Sequence, residues 1–229
     1  MYKCIKIYGK QRTGTNYITQ LIKSNFNILV FQNILGWKHG LWQDPVNWVH
    51  NHRYMDNEIY VYNGNGLKME TTSYNINILL DIISGGILYL CMIKNPYAFI
   101  SSYMKYYRKP WTDTECIIEQ CKDYNLKYSN YCQISKNNCI IIKYEDLLTD
   151  YISVLGNIKN NYQIPSKSDK FVNINSTVGS GGQQKEKFDK KSFYMNNIFL
   201  KNIPANIQKI INDNICWEIL KDFNYEPNE

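Results

Sequence analysis

The run Gly9-Lys10-Gln11-Arg12-Thr13-Gly14-Thr15-Asn16 constrains this chain more than any other stretch, because of what lies on either side of it. Residues 3–8 alternate apolar and polar side chains around Ile5 and Ile7, the pattern of a short strand. Residues 17–26 carry Ile18, Leu21 and Ile22 at the spacing of one helix face. A strand that enters a helix through a glycine loop aims consecutive backbone N–H groups, and the positive end of the helix dipole, at one point in space. That point is an anion site.

The spacing of Gly9 and Gly14 matches the phosphate loop of nucleotide-binding proteins, but Thr15 and Asn16 follow where an ATPase or GTPase has Lys and then Ser or Thr. The cradle is kept, and the lysine and magnesium-binding hydroxyl of nucleotide hydrolysis are not. Arg12-Thr13-Gly14-Thr15-Asn16 at the end of a first strand resembles the 5′-phosphosulfate loop of the P-loop sulfotransferases. Members of that family move a sulfuryl group from 3′-phosphoadenosine 5′-phosphosulfate (PAPS) to an acceptor. The resemblance puts Arg12 at the position of the family's cationic Lys or Arg.

Two later elements extend the resemblance. Residues 87–93 form an apolar run with the length of a buried strand, followed by Lys94-Asn95-Pro96 and a helical pattern over 97–107, with proline well placed at a helix start. Lys94, Asn95, Pro96 and the later Ser102 resemble the family's 3′-phosphate element, except that a lysine stands where the family has arginine. A lysine is a point charge without the planar two-toothed fork, so a weaker grip or a compensating group is expected. Residues 139–143 are a third apolar strand, and Tyr144-Glu145-Asp146-Leu147 after it resembles the family's tyrosine-led segment. Tyr144 is then expected to pack near adenine, with Glu145 and Asp146 starting a helix whose dipole favours acids.

The rest of the chain is expected to form one α/β domain over 1–229: a doubly wound, mainly parallel sheet of P-loop topology with helices on both faces. Residues 27–32 read as a second strand covered on both sides. Helical patterns run over 74–83, over 112–135 with a capping-box start at Thr112, and over 204–223 as a single closing helix. Residues 44–72 show no firm period and wall an acceptor pocket or form an insertion. Residues 176–191 are glycine-rich and then basic, a lid or a linker; by resemblance Lys185 or Lys187 closes over the 3′-phosphate.

His39 lies between the end of the second strand and a glycine turn, where open α/β sheets bind ligands. It is the first candidate for a general base, since a base with a pKa near neutrality removes a hydroxyl proton best; Glu70 is the reserve. The resemblance implies PAPS as donor, a small-molecule, glycan or peptide acceptor, and no metal. Its candidate donor-binding residues are Lys10, Gln11, Arg12, Thr13, Gly14, Thr15, Asn16, Lys94, Ser102, Tyr144, Lys185 and Lys187. Arg12 would also meet charge on the leaving phosphate. A silent nucleotide-binding homologue and a P-loop kinase or NTPase are the alternatives.

Composition narrows the partners. A net charge of +6 suits an anionic ligand, and no nucleic-acid motif accompanies the 20 tyrosines, which read first as compositional drift. Seven scattered cysteines without a paired spacing read as reduced thiols. No apolar run reaches membrane-spanning length, and a strand begins within the first few residues. No nucleic acid, no membrane and a cytoplasmic location are therefore the expectations.

Overall fold

Side chains on the two central strands alternate between opposite faces of one sheet, and each set enters a different core. On β1 (Cys4–Gly9), Ile5 and Ile7 join one cluster, whereas Cys4 and Tyr8 join the other. On β5 (Ile87–Ile93), Leu88, Leu90 and Met92 separate from Tyr89, Cys91 and Ile93 in the same way. A strand with both faces buried has to be apolar throughout, and the seven residues of β5 are all buried. The computed structural model describes residues 2–51, 58–65, 68–174 and 190–228.

Four parallel strands are paired in the order β2-β1-β5-β6, with β2 spanning Leu29–Phe31 and β6 spanning Cys139–Lys143. The chain starts in the middle of the sheet, adds β2 on one side, and crosses back to add β5 and β6 on the other. This is the doubly wound α/β arrangement expected, with helices on both faces. The helix α1 (Thr15–Asn25) buries Ile18, Leu21 and Ile22 on one face, together with Leu147, Leu155 and Ile158 of α6 (Tyr144–Tyr162). The opposite face is covered by α3 (Ile76–Ser84), α4 (Pro96–Tyr106), α5 (Thr114–Tyr131) and α8 (Ala205–Asn214).

Local signals explain the helix starts. The Asn95 side chain accepts from the N–H groups of Tyr97 (3.0 Å) and Ala98 (3.3 Å), ahead of Pro96 at the first helical position. Asp113, rather than Thr112, caps α5 by accepting from Cys116 N–H at 3.2 Å. The capping-box expectation is corrected on that point.

Three further expectations change. The second strand is a three-residue edge strand rather than a fully covered one, and its first residue, Leu29, is 52% exposed. The closing helix is broken into α8 and α9 (Trp217–Leu220) because Asn125 of α5 bridges the break. Its side chain donates to Asn214 O at 2.8 Å and accepts from Cys216 N–H at 2.9 Å. Residues 44–72, without a firm period, contain α2 (Pro45–Asn51) and most of an antiparallel hairpin, β3 (Glu58–Asn65) with β4 (Lys68–Asn75). Among the described residues that hairpin is a sheet of its own. The basic part of the 176–191 stretch that holds Lys185 and Lys187 lies outside the described residues. Among the described residues no helix is long and apolar enough to cross a membrane.

Candidate functional site

The two strand-to-helix turns singled out in the sequence leave adjacent strands, since Gly9 at the end of β1 is opposite Met92 of β5. Their helices then part, α1 packing on one face of the sheet and α4 on the other. Where neighbouring parallel strands send their connections to opposite faces, a crevice opens beyond their carboxyl ends. Lys94 and the Gly9–Asn16 loop stand at that point, after the ends of β5 and β1. The Lys94 ammonium lies 3.5 Å from the Arg12 carbonyl, so the cation of one turn touches the backbone of the other.

The glycine at position 14 has a steric reason. Gly14 has φ 90° and caps α1, and a Cβ there would come within 2.4 Å of the Tyr144 ring. Only a residue without a side chain fits that approach. Thr13 is fully buried and donates its hydroxyl to Lys10 O at 2.7 Å, closing the loop upon itself. Its hydroxyl therefore shapes the cradle and is not on hand for a ligand. Lys10 is likewise committed, its ammonium ion-paired with Asp123, which also takes Lys127 at 2.8 Å. Gln11 accepts from Tyr107 OH at 2.8 Å. Thr15 is buried at the helix start and Asn16 is exposed.

Arg12 adopts φ 70°, a left-handed conformation that non-glycine residues pay for in backbone energy and that clusters at functional sites. Its guanidinium is exposed and lies 4.3 Å above the Tyr106 ring, which orients it without neutralising it.

The second-strand connection supplies two groups. His39 Nδ1 is 2.7 Å from Gly9 O, and since a carbonyl can only accept, Nδ1 carries the proton and Nε2 keeps its lone pair in the neutral ring. Burial, reinforced by the ammoniums of Lys38, Lys127 and Lys10, pushes His39 down to about 4 against the bond to Gly9. The expectation of a base near neutrality is corrected: the neutral form is assured at pH 7, but the ring is a weaker base than an exposed histidine. Lys38, which sequence reasoning passed over, donates to Asn16 Oδ1 at 2.6 Å and to Gln32 Oε1 at 3.2 Å. Burial, with Lys23 adding, brings its ammonium down to about 8. The loop lacks a lysine after Gly14, and Lys38 brings one to it from the neighbouring connection.

Lys6 explains how that connection is held. It is wholly buried and donates to Gln32 O at 2.7 Å and Gly36 O at 2.5 Å, satisfying carbonyls at the exit of β2. Three tyrosines on one face of α5 do the same at the end of β5 and in the connection after β2. Tyr124 donates to Lys94 O (2.7 Å), Tyr128 to Met92 O (2.7 Å) and Tyr131 to Gly40 O (2.8 Å). Their spacing along a predicted helix was a visible signal.

Lys94 is 1% exposed and donates to Tyr194 OH at 2.8 Å, with the rings of Tyr194 and Tyr144 at 4.2 Å and 5.0 Å. Tyr144 is thus wedged between Gly14 and Lys94, joining the two turns. Glu145 serves the fold, accepting from Asn95 N–H at 3.0 Å and from Tyr225 OH at 2.6 Å. Ser102 is half-buried on α4, and among the described residues no hydrogen bond ties it to Lys94. Glu70 stands opposite Asn63 in the hairpin, its side chain outside the described part. Lys185 and Lys187 are outside it altogether.

No family model matches the chain. No curated protein matches it either. Among solved structures, the chain is similar to the sulfotransferase domain from the Synechococcus PCC 7002 olefin synthase, at 17% identity and a TM-score of 0.46. The match takes in 66% of this chain and spans about half, 54%, of that one.

Proposed function

We propose that this chain transfers a sulfuryl group from PAPS to a hydroxyl or amine acceptor, by in-line displacement that requires no metal. The observation that carries the reading is the meeting of two anion-binding turns, Lys94 lying 3.5 Å from the Arg12 carbonyl. One nucleotide with phosphate at both its 5′ and 3′ ends spans such a pair; a nucleoside triphosphate, charged at one end, does not use both. The cations fit the group: Arg12 and Lys38 on the 5′ loop, Lys94 at the other turn.

PAPS supplies the sulfuryl group and leaves as adenosine 3′,5′-bisphosphate when the bond from sulfur to the phosphate oxygen breaks. The loop N–H groups and the exposed Arg12 guanidinium stabilise the charge that this oxygen gains. His39 takes the acceptor's proton on Nε2, the nitrogen left unprotonated by the bond from Nδ1–H to Gly9 O. An anionic donor beside His39 also opposes the depression of its pKa, which makes the ring more basic when the donor is bound.

The low basicity of His39 favours a second reading, a silent homologue that binds the nucleotide without turning it over. Both readings require the 3′-phosphate site. Thermal unfolding in the presence of adenosine 3′,5′-bisphosphate or ATP tests that requirement. At a hundred times its dissociation constant, a ligand adds about 2.7 kcal/mol of stability. The bisphosphate is expected to raise the melting temperature well above an equal dose of ATP, and equal shifts remove the two-pocket reading. A sulfate-transfer assay over phenol, glycan and peptide acceptors then separates the active form from the silent one.

A further inference from the structure

We infer that the Tyr194 hydroxyl acts with the Lys94 ammonium as one two-donor grip on the donor's 3′-phosphate, filling the place of the arginine fork that this chain lacks. The inference rests on the donor reading above and deepens it by naming what distinguishes a 3′-phosphorylated nucleotide from others.

Tyr194 lies on α7 (Lys190–Met195), remote in sequence from both turns. Its hydroxyl accepts from Lys94 at 2.8 Å. An oxygen that accepts from an ammonium keeps its own O–H to donate, so the phenol adds a directed donor 2.8 Å from the positive charge. A lysine alone offers a rotating point charge; the phenol adds the direction that a fork would have supplied.

The ring is held in place from several sides. It meets Tyr144 edge-on at 5.2 Å and 86°, and packs against Phe199 at 6.1 Å. Tyr144 in turn touches Gly14, so the phenol is braced against the same glycine loop that cradles the 5′ end. Burial, with the Glu145 carboxylate adding, pushes the Tyr194 phenol up to about 12, so that at neutral pH it remains an O–H donor. Nothing in a helix-scale reading of the sequence couples residue 194 to residue 94, since the two meet only across the crevice.

Calorimetric titration of the full chain with adenosine 3′,5′-bisphosphate and with adenosine 5′-monophosphate tests the pairing. The wild-type chain is expected to prefer the bisphosphate. Tyr194→Phe should weaken bisphosphate binding about tenfold, the loss expected for one hydrogen bond to a charged group, and leave monophosphate binding unchanged. Adding Lys94→Arg to Tyr194→Phe should recover most of that loss, because the guanidinium brings a second donor of its own. Three outcomes overturn the inference: Tyr194→Phe binding the bisphosphate as well as wild type, both nucleotides weakening together, or no recovery with Lys94→Arg. A wild-type chain that does not distinguish the two nucleotides overturns the donor reading itself, so the two failures are told apart.

Discussion

His39 shows how one side chain's surroundings set both its chemistry and its effect on stability. Its tautomer follows from a single bond, Nδ1–H to Gly9 O, which leaves Nε2 facing away from the strand end. Burial holds its pKa at about 4 in the folded chain, below the ordinary 6.5. Between those values the unfolded chain binds the proton and the folded chain does not, so stability rises with pH across that window. The contribution is complete above the unfolded value and is lost as the pH falls towards 4. His39→Asn should therefore flatten the pH dependence of the urea midpoint between 6.5 and 4. The same variant should lose most sulfuryl transfer while keeping its affinity for adenosine 3′,5′-bisphosphate. An active variant moves the proton acceptor to another group, Glu70 being the reserve.

At the scale of elements, the crevice is built by helices that lend side chains to strands they do not follow. The α5 tyrosines satisfy carbonyls at the ends of β5 and in the connection after β2, places where a parallel sheet runs out of ladder partners. The start of α1 is built around the contact between Gly14 and Tyr144, the first residue of α6. Gly14→Ala combines a left-handed backbone with a Cβ driven into that ring, a cost of about 2–4 kcal/mol in unfolding free energy. Denaturant unfolding checks it: measured in a Tyr144→Ala background, the same Gly14→Ala change should cost only the backbone part, since the ring that the Cβ meets is gone. A Gly14→Ala chain as stable as wild type would mean that the loop tolerates a side chain by shifting, and the cradle geometry with it.

The whole molecule ties its last residues to the site. Tyr225, near the end of the described chain, donates to Glu145 at the start of α6, and Glu145 accepts from Asn95 N–H in the turn after Lys94. One carboxylate thus joins the closing segment, the helix after β6 and the turn that carries Lys94. Tyr225→Phe removes a hydrogen bond to a charged group, worth about 1.5–3 kcal/mol, and frees the carboxylate to drift from Asn95. The expected result is a lower urea midpoint together with a severalfold weaker grip on adenosine 3′,5′-bisphosphate. Stability lost without any change in affinity would show that the tie ends at the fold and does not reach Lys94.

Amino-acid order alone was enough to locate β5 and β6 to the residue, β1 to within one, and the glycine loop between β1 and α1. Those features depend on alternation, apolar runs and glycine, each set by neighbours a few positions apart. Through the resemblance of their segments it also marked Arg12 and Lys94, whose two turns the fold brings into contact. It could not reveal that Lys38 would reach Asn16, that Tyr194 would cover Lys94, or that Asn125 would break the closing helix in two. Each of those contacts joins residues carried together by separate crossover connections. The sheet order that brings them face to face is settled by burying two apolar faces at once, a requirement of the assembled layers that no short window of sequence contains.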